Sequence, residues 1–197
     1  MCSECANAGG GATYSMTRGI SSPSLDGRST RFTLGGTKAW SHALYYRWMS
    51  SNSSASNFVY DIYYYFKNPG ASSGMEFSSS QRKGYKWYRW DTQCSFLLGV
   101  WQLWDNSSGR WIKTSIPCKR PTAYRWNHLI IEGKRRDGRV LFVSLTLNGK
   151  KYYINKSYAP KSMSSSSSAV NIHFQLNGNK YQTDYQVWGD KFTLKYW

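Results

Sequence analysis

Acidic residues are scarce in this chain, with 10 Asp and Glu against 26 Lys and Arg in 197 residues, a formal net charge of +16. So few carboxylates argue against catalysis by a closely spaced carboxylate pair. Histidine is rarer still, at 3 residues, and the 4 cysteines include only one CxxC, Cys2 and Cys5. A lone CxxC without a second pair is weak evidence for zinc, so no metal site is expected. No run approaches the ~18 apolar residues that span a bilayer. The N-terminus lacks the apolar core of a signal peptide, so the start is expected to follow a removed leader or to lie inside a longer frame. There is no phosphate loop, dinucleotide fingerprint, HExxH or Gly-x-Ser-x-Gly, and no cofactor is expected. Long basic runs are absent too. The densest cluster is Lys134, Arg135 and Arg136, followed by Arg139. The positive field is therefore diffuse, attractive to nucleic acid, acidic polysaccharide or an anionic surface alike.

What the chain has in abundance is aromatic rings, 10 Trp and 16 Tyr among them, with Gly, Ser and Asn between short apolar runs. That mixture suits short strands joined by turns. Residues 1–20 read as a flexible segment or linker remnant around Gly9-Gly10-Gly11, and 21–197 as one domain.

From Phe58 to Phe66 strict alternation puts Phe58, Tyr60, Ile62, Tyr64 and Phe66 on one face and Tyr63 and Tyr65 on the other. Asn68-Pro69-Gly70 ends this strand, and a second strand is expected from Met75 to Gln81. Asn106-Ser107-Ser108-Gly109 joins a hairpin, and Asp137-Gly138 carries the strongest two-residue hairpin signal. Asn148-Gly149 turns into a further strand. The serine run Ser164–Ser168 reads as a loop. Beyond it, Val170, Ile172, Phe174 and Leu176 alternate with Asn171, His173, Gln175 and Asn177. The last strand, Lys191 to Trp197, is expected to pair around Arg31 to Leu34. The sum is an all-β, antiparallel two-sheet β-sandwich with Ile62, Val143, Leu145, Ile172 and Phe174 in its core. Cys94 and Cys118 bracket a hairpin and are expected to form a disulfide, which implies an oxidising, extracytoplasmic compartment.

The segments Trp126-Asn127-His128-Leu129-Ile130-Ile131, Asp137-Gly138-Arg139-Val140 and Leu145-Thr146-Leu147-Asn148-Gly149-Lys150 resemble the concanavalin A-like lectin and glucanase sandwiches, including laminin-G-like modules. The resemblance implies a jelly roll, a fold that hosts lectins, binding modules, hydrolases and lyases. In the corresponding stretch Glu76 lacks the acidic companion that the superfamily's glycosidases use. His173-Phe174-Gln175 loosely resembles, in reversed order, the Gln-x-His of alginate-lyase-like jelly rolls, whereas their Arg-x-Glu-x-Arg strand is missing.

The first expectation is a secreted carbohydrate-binding module whose face carries Tyr63, Tyr65, Glu76, Trp87, Trp90, His173 and Gln175. Rings would stack on sugars, and polar groups would orient hydroxyls. The second is a lyase acting on a uronate polymer, with His173 as base, Tyr63 or Tyr65 as acid, and Gln175 with Arg89 neutralising the carboxylate. The third is a nucleic-acid binder that uses the aromatic and basic strands as a stacking platform. His128 is expected to pack structurally, and Trp101 and Trp104 to be core.

Overall fold

A computed structural model describes the backbone of residues 6–9 and all of residues 11–197. Cys2 and Cys5 lie outside the described residues. Alternation is answered by two antiparallel sheets laid face to face. One is six-stranded, in the order β1 (Ala6–Gly9), β4 (His42–Met49), β12 (Lys161–Gly178), β6 (Ser72–Ser95), β7 (Val100–Asp105), β8 (Arg110–Pro117). The other is seven-stranded: β11 (Lys150–Tyr158), β10 (Arg139–Leu147), β9 (Trp126–Arg136), β5 (Asn57–Phe66), β13 (Tyr185–Tyr196), β3 (Ser29–Gly36), β2 (Ala12–Ile20). Between them lies an aromatic core in which Phe77, Phe174, Phe32, Tyr45, Tyr60 and Trp101 interlock. Among the described residues no helix is long and apolar enough to cross a membrane.

Turn chemistry sets the hairpins. Asp137 (φ 52°) and Gly138 (φ 68°) both take left-handed backbone, which matches the twist of β9 and β10. Asn148 and Gly149 repeat the device between β10 and β11. Strand β6 doubles back at Gly84 (φ 59°), as the Phe96 amide donates to Ser73 O and the Thr92 hydroxyl to Phe77 O. That register sets Ser78 opposite Asp91, Ser80 opposite Arg89 and Arg82 opposite Trp87. The expected disulfide joins Cys94 to Cys118 with Cα atoms 5.5 Å apart.

Several expectations need correction. Residues 12–20 are not a linker but strand β2, whose polar and apolar alternation lets it pair with β3; the Ser15 amide and hydroxyl both bond Thr33. Val143 is half-exposed because a bulge between Phe142 and Ser144 slips the strand, so that Phe142 and Leu145 fill the core instead. The serine run is not a free loop. It lies within β12, which follows the tip of the β6 hairpin with a register shift between Ser162 and Ser167. The last strand begins earlier than expected, at Tyr185, and only Tyr185–Gly189 pairs with β3; after a bulge the remainder runs along β5 alone.

Candidate functional site

Because side chains on a strand alternate, burying Ile172, Phe174 and Leu176 turns Asn171, His173, Gln175 and Asn177 outward from the six-stranded sheet. On β4, Tyr46 stands opposite His173 and Trp48 opposite Asn171. The first arm of β6 adds Glu76, Ser78, Ser80 and Arg82; the second adds Trp87, Arg89, Asp91 and Gln93. Trp104 and Trp111 continue the face on β7 and β8.

Charge and aromatic groups alternate across this face. Arg82 lies 4.5 Å from the Trp48 ring and 5.0 Å from that of Trp87. Arg89 lies 4.7 Å from the same Trp87 ring and 5.3 Å from that of Trp104, whose ring in turn meets Trp111 at 5.2 Å. Indole and guanidinium thus follow one another over four strand segments, from β4 through the two arms of β6 to β7, each cation packed against a ring and attracted by its quadrupole. A hollow of about 470 Å³ opens at the end of the ladder, between Arg89 and Trp104 on one side and Lys161 and Ser162 on the other.

Beside the ladder lies a polar cluster. Gln175 Nε2 donates to Glu76 at 2.7 Å, and Asn177 Nδ2 donates to the same oxygen at 3.4 Å. Burial, reinforced by the nearby charge of Asp91, pushes the Glu76 carboxyl up to about 7. Arg89 pairs with the buried Asp91. His173 Nδ1 bonds Asn171 Oδ1 at 3.1 Å, while its Nε2 stays 3.8 Å from Asp91, with only 11% of the side chain exposed. Burial holds its imidazole below the ordinary value, against the opposing pull of Asp91, so the ring is neutral at pH 7 and the contact with Asp91 is not an ion pair. Several buried polar atoms here have no protein partner: Ser78 Oγ, Ser80 Oγ, Asp91 Oδ1, Arg82 Nε, Arg89 Nε and Trp87 Nε1.

Glu76, Trp87, Arg89, His173 and Gln175 are therefore brought together. Trp90 is not among them: at 1% exposure it is a core residue, its Nε1 donating to Leu141 O. Tyr63 and Tyr65 stand on the outer face of the other sheet, because β5 belongs to that sheet. There Tyr63 stacks on His128 at 3.9 Å, and His128 Nε2 meets Asp61 Oδ1 at 2.8 Å. Sequence reasoning missed Tyr46, Trp48, Arg82 and Asp91. The aromatic run Tyr45-Tyr46-Arg47-Trp48 carried a strand signal for the first two, without an alternation that names their face. Trp104, expected in the core, ends the ladder, whereas Trp101 is fully buried.

No family model matches the sequence, and no curated protein sequence matches it. Solved structures share the fold. An endo-β-1,4-glucuronan lyase from the fungus Trichoderma reesei superposes with a TM-score of 0.58 at 10% identity, over 95% of this chain and 89% of its own. The cellulose induced protein Cip1 gives 0.57 at 12% identity, over 99% and 93%. Arcelin-5, a lectin-like defence protein from Phaseolus vulgaris, gives 0.53 at 10% identity, over 98% and 100%. The two-sheet antiparallel β-sandwich is thus shared with these structures, at identities that speak to fold alone.

Proposed function

We propose that the outer face of the six-stranded sheet binds an anionic, uronate-containing polysaccharide in an extracytoplasmic setting. The observation that carries this reading is the ladder from Trp48 to Trp104, where indole faces alternate with guanidinium groups. Flat rings match the apolar faces of pyranoses, and guanidinium forks match carboxylates. The fold is compatible with such a role, since it serves a glucuronan lyase and a lectin-like protein. The disulfide fits an oxidising compartment.

The test is retention on immobilised polyglucuronate and alginate beside neutral glucans. Retention of the acidic polymers that Trp87→Ala largely removes is the expected result. Equal retention of the neutral glucans would overturn the anionic specificity. Single-stranded DNA held at high salt would favour a nucleic-acid binder instead, because purely electrostatic attraction decays steeply with salt.

A lyase is the second reading, favoured by the cross-strand placement of Tyr46 and His173. A neutral His173 would abstract the proton α to the uronate carboxyl, with Arg89 and Gln175 neutralising the carboxylate. Tyr46 would protonate the leaving glycosidic oxygen, taking the place expected of Tyr63 or Tyr65. Appearance of the unsaturated uronate absorbance during incubation with polymer distinguishes this reading from simple binding.

A further inference from the structure

The sandwich is not closed at the end where β3 and β4 both stop. Strand β3 pairs with β13 only as far as Gly189, so among the described residues the stretch from Asp190 onward has one edge without a strand partner. A cavity of about 630 Å³ opens there between the sheets. Its inner wall is apolar: Phe32 and Ile172 are buried core residues, and Phe192, Leu194 and Tyr196 are half-buried. Four cations stand around it, Arg18, Arg28, Arg47 and Lys191. None of the four forms an ion pair among the described residues. Lys191 reaches this position from left-handed backbone (φ 48°) at the bulge in β13, a conformation that costs a non-glycine residue free energy. The one carboxylate in the lining, Asp190, is already occupied, accepting from Ser24 Oγ at 2.9 Å, from the Leu25 amide at 2.6 Å and from the Lys191 amide at 2.8 Å.

We propose that this cavity, which borders the ladder face at Trp48, is a second binding site for an amphiphilic carboxylate, with its anionic head among the arginines and its apolar body between the sheets. A sugar chain is a poor match for the inner wall, because hydroxyls desolvated against Phe192 and Leu194 would lack hydrogen-bond partners. A purely apolar ligand would leave the cationic mouth without a counter-charge. An aliphatic acid satisfies both halves, and the volume lies within the range of small-molecule sites.

Decanoate serves as the probe, titrated calorimetrically into the intact protein, with decanol and glucuronate as controls. Decanoate should bind and glucuronate should not. An Arg47→Gln/Lys191→Gln double variant should bind decanoate at least about tenfold more weakly, the loss expected from removing a charge-assisted contact. Both positions are solvent-exposed, so the variant is expected to melt like the parent. Leu194→Trp, which fills the cavity, should abolish decanoate binding while retention on polyglucuronate persists. Absence of decanoate binding, equal affinity for decanol, or an unchanged double variant would each overturn the proposal. So would displacement of decanoate by oligoglucuronate, since the cavity would then be an extension of the polysaccharide face.

Discussion

Arg89 packs over the ring of Trp87 at 4.7 Å while its guanidinium pairs with the buried carboxylate of Asp91. One side chain thereby fixes the plane of an indole and compensates a charge that could not otherwise stay ionised beneath the surface. A second guanidinium, that of Arg82, lies 5.0 Å from the same ring.

Truncating Trp87 removes the centre of the ladder without uncovering Asp91. Trp87→Ala should weaken polyglucuronate binding by about 1–2 kcal/mol, roughly 5- to 30-fold, on the scale of a desolvated cation–π pair plus lost stacking. Arg89→Lys keeps a partner for Asp91 but loses the planar fork, and should weaken binding comparably with little change in melting temperature. Affinity electrophoresis in polymer-containing gels reads both. Unchanged mobility shifts would count against the ladder as the binding element.

Trp90 tests the opposite face of the same arm. Gly133 lies so close to it that a Cβ added there would stand 2.5 Å from Trp90 Cδ1. The glycine is required by this approach, and not by a turn. Gly133→Ala should cost about 1–3 kcal/mol through overpacking. Trp90→Ala should cost about 3–5 kcal/mol by leaving a cavity. Chemical denaturation measures both. Neither folded variant should lose polymer affinity, because neither residue reaches the outer surface.

Glu76 gives the site a pH signature. Its carboxyl is raised to about 7, so the folded state holds a proton that the unfolded chain releases near the ordinary carboxylate value. The stability it contributes is full at pH below about 4 and is lost as pH rises through about 7. His173, held low by burial, works in the opposite direction: its contribution is full above its ordinary value near 6.5 and fades as pH falls. Glu76→Gln should therefore be more stable than the parent at pH 8 and lose that advantage toward pH 4–5. Protonation also removes a negative charge from the face, so binding of a uronate polymer should tighten between about pH 8 and about pH 6 in the parent but not in the variant. Parallel pH profiles for the two proteins would exclude Glu76 as the titrating group.

The disulfide closes a segment with a sequence separation of 24, and reduction should lower stability by about 3 kcal/mol in the chain-entropy treatment. Thermal melts with and without reductant measure this. An identical melting temperature would show that Cys94 and Cys118 stabilise by packing alone.

Much of the fold could be read from the chain because its signals are local. Alternation in Phe58–Phe66 and Val170–Leu176 named both faces of β5 and β12, and Asp137-Gly138 located a hairpin to the residue. The candidate site was half legible. Which strands share a sheet depends on long-range pairing, so Tyr63 and His173, each facing away from the core, could be assigned to one surface although β5 and β12 belong to different sheets. Bulges hid more. The slip at Phe142 and Ser144 exposed Val143, and no local pattern announced it. Trp90 was misread although its spacing carried the signal: three residues apart on one strand, Trp87 and Trp90 face opposite sides, and only Trp87 turns outward.

Substitutions on the two sheets separate the faces. Tyr63 stacks on His128, and that ring meets Asp61, all on the seven-stranded sheet. Tyr63→Ala should cost about 0.5–1.5 kcal/mol of stability from the lost ring pair and leave polymer binding unchanged. On the six-stranded sheet, His173→Ala removes a neutral group bonded to Asn171, and should weaken binding by about 0.5–1.5 kcal/mol if the face only binds. If the face is a lyase, His173→Ala and Tyr46→Phe should each abolish turnover, and Tyr46→Phe, which keeps the ring, should still retain polymer. Measured side by side, polymer retention and release of unsaturated product assign the chemistry. Loss of retention in Tyr63→Ala with none in His173→Ala would move the binding surface to the opposite sheet.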